Sequence, residues 1–232
     1  MRSIVMCFLI GMSGLVNIWA QTGGISGVVL GATTEPVAGA TVLYKSVPGY
    51  GNPSAANSPA VPVALPVSSS VVTDSGGVFR IAGLPAGAYH VCAISPSSGL
   101  LSSCNHGSKP MVVEVSAGQQ VGNATITLLS GAVVRVRVVD SAGEIPKGHR
   151  FSVVSMAGDG TYEIGKMVSQ TTGETDYELT IPKDKTERLM VQTDLSVTDE
   201  SGAAVPSLQP VIPLPTASAS AASPLIVTLT VH

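Results

Sequence analysis

The sequence has 232 residues, of which 44% are hydrophobic but only 12% are charged, and its formal net charge is −3. No basic cluster marks a nucleic-acid-binding surface, and no segment carries a sustained apolar stripe at helical spacing. The 25 glycines and 16 prolines, with many Val, Thr, Ser and Ala residues, are typical of short strands separated by frequent turns. The composition therefore favours an all-β protein and excludes a nucleic-acid partner.

The first twenty residues have the pattern of a secretory signal peptide. Arg2 supplies one positive charge, residues 4–19 carry none, and the small residue Ala20 precedes a polar, glycine-rich stretch. A membrane-spanning helix needs about 20 apolar residues, and this apolar core is shorter and is interrupted by Gly and Asn. We expect cleavage near Ala20, no membrane span afterwards, and a secreted, periplasmic or cell-surface protein of a bacterial-type cell. The alternative is a retained membrane anchor.

Residues 21–130 are expected to form about seven short strands, which is the pattern of a β-sandwich. A proline-rich stretch at 46–69 cannot join a central ladder, because proline has no amide donor, so we interpret it as a surface insert. Asp74–Gly77 is expected to close a tight hairpin between the third and fourth strands. The predicted strands are Ile25–Leu30, Gly39–Tyr44, Val71–Thr73, Val78–Ile81, Ala88–Ile94, Met111–Val115 and Asn123–Leu129.

Four motifs in this half resemble a known family. In chain order they are Ser26–Val29, Pro36–Val42, Thr73–Phe79 and Leu84–Tyr89. Together they are similar to the carboxypeptidase regulatory-like domain, whose fold is a transthyretin-like (prealbumin-like) β-sandwich. The resemblance implies that Phe79 and Tyr89 face the core, and it does not imply peptidase activity.

Residues 131–232 are predicted to form a second β-sandwich. Val133–Val139 alternates apolar residues with Arg135 and Arg137, and Val205–Ser223 is expected to be a second proline-rich loop. Further strands are expected at Phe151–Met156, Tyr162–Val168, Tyr177–Ile181, Leu189–Val197 and Leu225–Val231.

The domain plan follows from these strands and from the charge distribution. Residues 21–130 carry six charged side chains, whereas residues 131–232 carry eight basic and twelve acidic ones, so the two halves have different surfaces. We therefore predict a signal peptide at 1–20, a regulatory-like sandwich at 21–130 and a second sandwich at 131–232. The fold class is all-β, with two tandem Ig-like or prealbumin-like β-sandwich domains.

Two cysteines, Cys92 and Cys104, remain after removal of the signal peptide. An even pair in an exported chain is usually bridged, and the turn between them lets the chain fold back. The spacing also resembles that of secreted bacterial relatives of the regulatory-like domain. We expect a disulfide, and the alternative is a buried thiol at Cys92 with an exposed one at Cys104.

Residues with catalytic potential are scattered along the sequence. No two of the four histidines are close to one another in sequence, whereas catalytic zinc needs about three converging ligands. His90 and His106 are considered as a metal pair, and the favoured interpretation is that both face solvent. No Gly-x-Ser-x-Gly nucleophile motif occurs in the mature chain. We expect no enzyme activity, no metal and no cofactor.

Two non-catalytic function classes remain, and an unrecognised enzyme is a third alternative. The favoured interpretation is a structural or interaction module of the cell envelope or extracellular space, with an unknown protein or glycan partner. The alternative is a carbohydrate-binding module, because starch-binding domains belong to the superfamily that the resemblance implies. Sugar sites usually present aromatic side chains, and the candidates here are Tyr50 in the insert and Tyr162.

Overall fold

The computed structural model describes residues 22–48, 67–97, 99–105, 110–183, 185–214 and 223–232. Within these ranges the protein is all-β, as predicted, and its one helical element is a 3₁₀ helix at Ile145–Lys147. None of the described residues belongs to a helix of the length and hydrophobicity that a bilayer crossing requires. The strands are β1 (Gly23–Leu30), β2 (Thr41–Ser46), β3 (Ser68–Val72), β4 (Val78–Leu84), β5 (Gly87–Ile94), β6 (Met111–Val115), β7 (Gln120–Thr127), β8 (Ala132–Val139), β9 (Phe151–Ala157), β10 (Tyr162–Ile164), β11 (Lys166–Thr171), β12 (Glu174–Ile181), β13 (Glu187–Thr193), β14 (Val197–Asp199), β15 (Ile212–Leu214) and β16 (Leu225–Val231).

The first sandwich packs a three-stranded sheet, ordered β4-β1-β7, against a four-stranded sheet, ordered β3-β2-β5-β6. Alternate residues of each strand point into the shared interior, so β5 buries Tyr89, Val91 and Ala93 while His90 is exposed. Phe79 and Tyr89 are 1% and 2% exposed. Both aromatic residues therefore lie in the core, where the family resemblance places them.

The second sandwich packs a four-stranded sheet, ordered β10-β9-β13-β15, against a five-stranded sheet, ordered β11-β12-β8-β16-β14. Strand β8 is central: Val134, Val136 and Val138 are fully buried, whereas Arg135 and Arg137 lie on the outer face. The alternation of the sequence predicted this arrangement correctly.

In both sandwiches the first strand pairs in parallel with the last strand of the same unit. β1 pairs with β7 from Gly24↔Gln120 to Leu30↔Thr127, and β8 pairs with β16 from Val134↔Leu225 to Val139↔Thr230. The other strand pairs are antiparallel.

The two hydrophobic cores lie close together along the chain. Leu128 belongs to the first core and Ala132 to the second, so only Leu129, Ser130 and Gly131 lie between them. The domain boundary drawn between residues 130 and 131 remains a prediction.

The turn at Asp74–Gly77 forms, but the predicted hairpin is wrong. β3 pairs with β2 and β4 pairs with β1, so the turn carries the chain from one sheet to the other. The local geometry is as expected: Asp74 Oδ1 accepts hydrogen bonds from the amides of Gly76 and Val78, and Gly77 has φ of 72°. The local sequence determines the turn, whereas the choice of sheet depends on the pairing partners.

Three further expectations about the second half are also corrected. The single strand expected at Leu189–Val197 is divided into β13 and β14, which belong to different sheets. The single strand expected at Tyr162–Val168 is divided at Gly165 into β10 and β11, which belong to different sheets. The loop expected at Val205–Ser223 contains the short strand β15, whose Pro213 pairs with Arg188. Strand β15 is at an edge of its sheet, where a residue without an amide donor is tolerated.

Some predicted features lie outside the described residues. They are the signal peptide at 1–20, residues 49–66 of the insert, and His106.

Candidate functional site

Cys92 and Cys104 form a disulfide, with a Cα–Cα distance of 5.2 Å. Cys92 lies on the outward face of β5, opposite Leu43 of β2. Cys104 is placed beside it by Ser103, whose amide donates to the Ala93 carbonyl at 3.0 Å. Both cysteines are half-buried, so the bridge holds the segment after β5 against that strand.

The segment closed by this bridge also reaches the link between the two cores. The Leu101 amide donates to the Leu129 carbonyl at 2.8 Å, and the Gly131 amide donates to the Gly99 carbonyl at 2.8 Å. Leu100 and Ser130 form an antiparallel bridge between these two bonds. We call this short ladder of residues 99–101 with residues 129–131 the junction ladder.

The junction ladder packs directly against the second sandwich. The Gly99 amide donates to Thr180 Oγ1 of β12 at 3.1 Å, and the Thr180 side chain is buried. A Cβ atom on Gly131 would lie 2.5 Å from Thr180 Cγ2 and 2.9 Å from Leu101 Cδ2. Gly131 therefore permits an approach that no larger residue allows.

The two tyrosines considered for sugar binding differ in whether the structure describes them. Tyr162 lies on the edge strand β10, is 50% exposed, and has Ile164, which is 60% exposed, as its neighbour on the same face. Tyr50 lies outside the described residues. The structure therefore presents one exposed aromatic side chain of the pair, in the second sandwich, and the disulfide in the first.

Aspartate side chains hold several of the turns. Asp140, which is 2% exposed, accepts hydrogen bonds from the Glu144 and Ile145 amides, both at 2.9 Å. Asp199 Oδ1 accepts from the amides of Ser201 and Ala203 at 2.9 and 3.0 Å. These carboxylates act as acceptors for backbone donors that a turn leaves unpaired.

Two more aspartates connect separate turns. Asp159 accepts hydrogen bonds from Lys185 Nζ and from Thr161, and these hold its pKa well below the usual range, with Lys185 contributing most. Asp194 accepts from His149 and from the Arg150 amide, and the hydrogen bond from His149 is the main cause of its lowered pKa.

The outer face of the five-stranded sheet carries a cross-strand ion-pair ladder. Arg135 of β8 pairs with Glu178 of β12 at 3.1 Å, and Arg137 pairs with Asp176 through two hydrogen bonds at 3.0 and 3.2 Å. The hydrogen bond with Asp176 is the main cause of the raised pKa of Arg137. Opposite charges that face each other across a strand pair stabilise the sheet modestly.

Within the described ranges, no group of three His, Cys, Asp or Glu side chains is arranged to hold a metal ion. His90 is exposed on β5, and its conceivable partner His106 is outside those ranges.

The chain shows similarity to several solved structures. It matches the Bacillus anthracis TIE protein with a TM-score of 0.34 and 16% identity, over 92% of this chain and 34% of that one. It matches GBS52, the minor pilin of Streptococcus agalactiae, with a TM-score of 0.32 and 21% identity, over 48% of this chain and 45% of that one. It matches a streptococcal ancillary pilin with a TM-score of 0.38 and 16% identity, over 91% of this chain and 63% of that one. The chain thus spans less than two thirds of the length of each of these proteins.

No family model matches the chain, so membership in the carboxypeptidase regulatory-like family remains a prediction. No curated protein matches it either.

Sequence reasoning missed the junction ladder. Gly99 was expected only to lie in the turn between Cys92 and Cys104, and Gly131 only to begin the second half. Their shared role depends on Thr180, which is 81 positions from Gly99. A pairing at that separation leaves no local signal in a single sequence.

Proposed function

We propose that the protein is a non-catalytic structural or interaction module that acts in the cell envelope or outside the cell. The observation that carries the proposal is the use of its carboxylates: each of the six described aspartates accepts hydrogen bonds that hold a turn or a cross-strand pair. The described aspartates, which are one class of side chain that could serve in acid–base chemistry, are therefore engaged in the fold. The six are Asp74, Asp140, Asp159, Asp176, Asp194 and Asp199.

The disulfide supports the proposed location. Disulfides form and persist in oxidising compartments such as the periplasm and the cell exterior, and are rare in the cytosol. The bridge between Cys92 and Cys104 fits a chain that leaves the cytoplasm, as the signal-peptide pattern predicts.

The first test combines location with activity. The full chain should be produced in an exporting cell, recovered by fractionation, and assayed against peptide and ester panels with and without added zinc. We expect recovery from the periplasm, surface or medium, with no turnover above the buffer rate. Recovery from the cytoplasm with free thiols would contradict the location, and saturable turnover that one substitution removes would contradict the non-catalytic role.

Carbohydrate binding is the second candidate, and exposed Tyr162 is the observation that favours it. Its ring is available for stacking on a sugar face, and Ile164 beside it extends the apolar surface. A glycan array tests this directly. Saturable binding that is lost in Tyr162→Ala but kept in Tyr162→Phe, which retains the ring, would replace the structural role with sugar binding. Absence of binding across the array would eliminate the candidate.

A further inference from the structure

The segment between β5 and β6 contacts both sandwiches at once. Leu100 packs against the first core, while the Gly99 amide donates to Thr180 of the second sandwich. Between these contacts, the junction ladder pairs the segment with the link at residues 129–131. The position of this segment therefore determines how the link is held.

Ser103 and the disulfide attach the segment to the first sandwich next to the junction ladder. Ser103 bonds to Ala93 through its amide and, at 2.8 Å, through Oγ, which accepts from the Ala93 amide. Cys104 follows directly and is bonded to Cys92. The covalent bridge thus lies three residues beyond Leu101, the last residue of the junction ladder.

We propose that the Cys92–Cys104 disulfide is a redox-sensitive clasp that fixes the orientation of the two sandwiches through the junction ladder. When the bridge is closed, residues 99–101 are held against the link and Thr180. When it is open, the segment gains conformational freedom, the three bonds at Leu101, Gly131 and Gly99 weaken, and the sandwiches reorient about residues 129–131. This property goes beyond the proposed function and does not depend on it.

The chemistry that opens the clasp is thiol–disulfide exchange. A dithiol reductant attacks one sulfur of the bridge and then closes to its own disulfide. Two electrons pass to the Sγ–Sγ bond, each sulfur takes up one proton, and Cys92 and Cys104 become thiols. Both cysteines are half-buried, so a small dithiol such as dithiothreitol can reach them.

Amide hydrogen exchange and residual dipolar couplings of the full chain test the proposal, with and without dithiothreitol. On reduction, we expect amide exchange at Leu101, Gly131 and Gly99 to accelerate at least roughly tenfold. The upper limit is roughly a hundredfold, because that factor corresponds to the entropy of closing the disulfide loop. The β8–β12 and β2–β5 ladders should keep their protection. In the oxidised protein, one alignment tensor should fit the residual dipolar couplings of both sandwiches, whereas the reduced protein should need a separate tensor for each. Cys92→Ser/Cys104→Ser should behave like the reduced protein.

A second pair of variants tests the junction without altering the thiols. Thr180→Val removes the oxygen that accepts from Gly99, so exchange at Gly99 should accelerate while the disulfide remains closed. Thr230→Val, on β16 of the same sheet, is the matched control and should leave Gly99 unchanged.

Three results would overturn the proposal. One is unchanged protection at Leu101 and Gly131 after complete reduction, and another is an unchanged Gly99 in Thr180→Val. The third is an equal loss of protection throughout the β2–β5 ladder, which would mean that the disulfide stabilises the whole first sandwich and not the junction.

Discussion

Thr73 connects two parts of the first sandwich through its buried hydroxyl. Thr73 Oγ1 donates to the Val37 carbonyl at 2.7 Å and accepts from the Ala40 amide at 2.8 Å. Both Thr73 and Ala40 are buried, so water cannot replace either bond without rearrangement. This side chain holds the end of β3 against the turn that precedes β2.

Thr73→Val is therefore expected to lower the free energy of unfolding by about 1–3 kcal/mol, because it leaves a buried amide without its acceptor. Thr73→Ser is the matched control, since it keeps the hydroxyl and loses only a methyl group. Urea unfolding of both variants measures the difference. Equal stability of the two would show that the hydroxyl bonds contribute nothing.

The lowered pKa values of Asp159, Asp194 and Asp199 predict sensitivity to acid. Their main causes are hydrogen bonds from Lys185, His149 and Ser201, respectively. In the unfolded chain an aspartate has a pKa of about 3.9. Because the folded values are lower, the stabilisation is complete well above pH 4 and is lost as the pH falls through the folded pKa values.

The variant carrying Asp→Asn at these three positions should consequently show a shallower loss of stability below about pH 4 than the parent protein. Asparagine keeps an oxygen acceptor for the turn amides but does not titrate. Chemical unfolding at a series of pH values from 7 to about 2 gives the comparison. If the two proteins lost stability equally as the pH fell, other titratable groups would control the loss of stability in acid.

At the scale of elements, the strands on either side of Gly27 leave no room for a side chain at that position. It lies in the centre of β1, between Phe79 of β4 and Ala124 of β7. A Cβ atom there would lie 1.9 Å from the Ala124 carbonyl oxygen, which belongs to the backbone. The parallel pairing of β1 with β7 therefore depends on the missing side chain.

Gly27→Ala is expected to destabilise the first sandwich by roughly 1–3 kcal/mol, because the strands must move apart. Gly87→Ala, in β5, is the control: a Cβ atom there meets no other atom within 4 Å, so the change should stay within about 0.5 kcal/mol. Thermal unfolding distinguishes the two. Similar melting temperatures would contradict the close packing of β1 on β7.

Two of the strands that were predicted correctly have a regular alternation. Val133–Val139 and Leu225–Val231 could be located because apolar residues recur at every second position, with Arg135 and Arg137 between them in the first strand and Thr228 and Thr230 in the second. The break at Gly165 could not be predicted, because both β10 and β11 have exposed apolar residues and the alternation gives no sign of a change of sheet. At Gly165 itself, a Cβ atom would lie 2.3 Å from Val153 Cγ2, and that contact is visible only in three dimensions.

In the candidate sites, too, local features could be predicted from the sequence and long-range contacts could not. The cysteine pair could be predicted from parity and spacing, since both residues belong to one local segment. Thr180 could not be connected with Gly99, because that contact joins the two sandwiches. Phe79 and Tyr89 were placed in the core by the family resemblance, which contains long-range information that a single alternating pattern lacks.

At the scale of the whole molecule, the predicted export and cleavage would determine which cysteines remain in the chain. The predicted removal of residues 1–20 would take Cys7 with it and leave Cys92 and Cys104 as a pair. The mature protein should begin at Gln21 by intact mass, and should show no reactive thiol when denatured without reductant. Two thiols should appear after reduction. Two reactive thiols before reduction, or a mass that includes residues 1–20, would contradict export with oxidation.

Reduction should also lower the melting temperature. In the chain-entropy model, closing a loop of about 13 residues stabilises the folded state by about 3 kcal/mol. That is a large share of the ~5–15 kcal/mol that separates folded from unfolded states in a small domain.

The parallel pairing of first and last strands determines how each sandwich responds to tension. A pull on the start of β1 and the end of β7 acts at opposite ends of two parallel strands, so it slides them along each other. The hydrogen bonds between Gly24–Leu30 and Gln120–Thr127 are then loaded together in shear and are not opened one after another. β8 and β16 are parallel in the same way. Because β8 follows β7 after a short link, a force transmitted through the first sandwich loads the second sandwich in shear as well. The resistance of a protein to forced unfolding depends on its unfolding rate. For a chain pulled at its ends, this strand order raises the free-energy barrier that sets that rate.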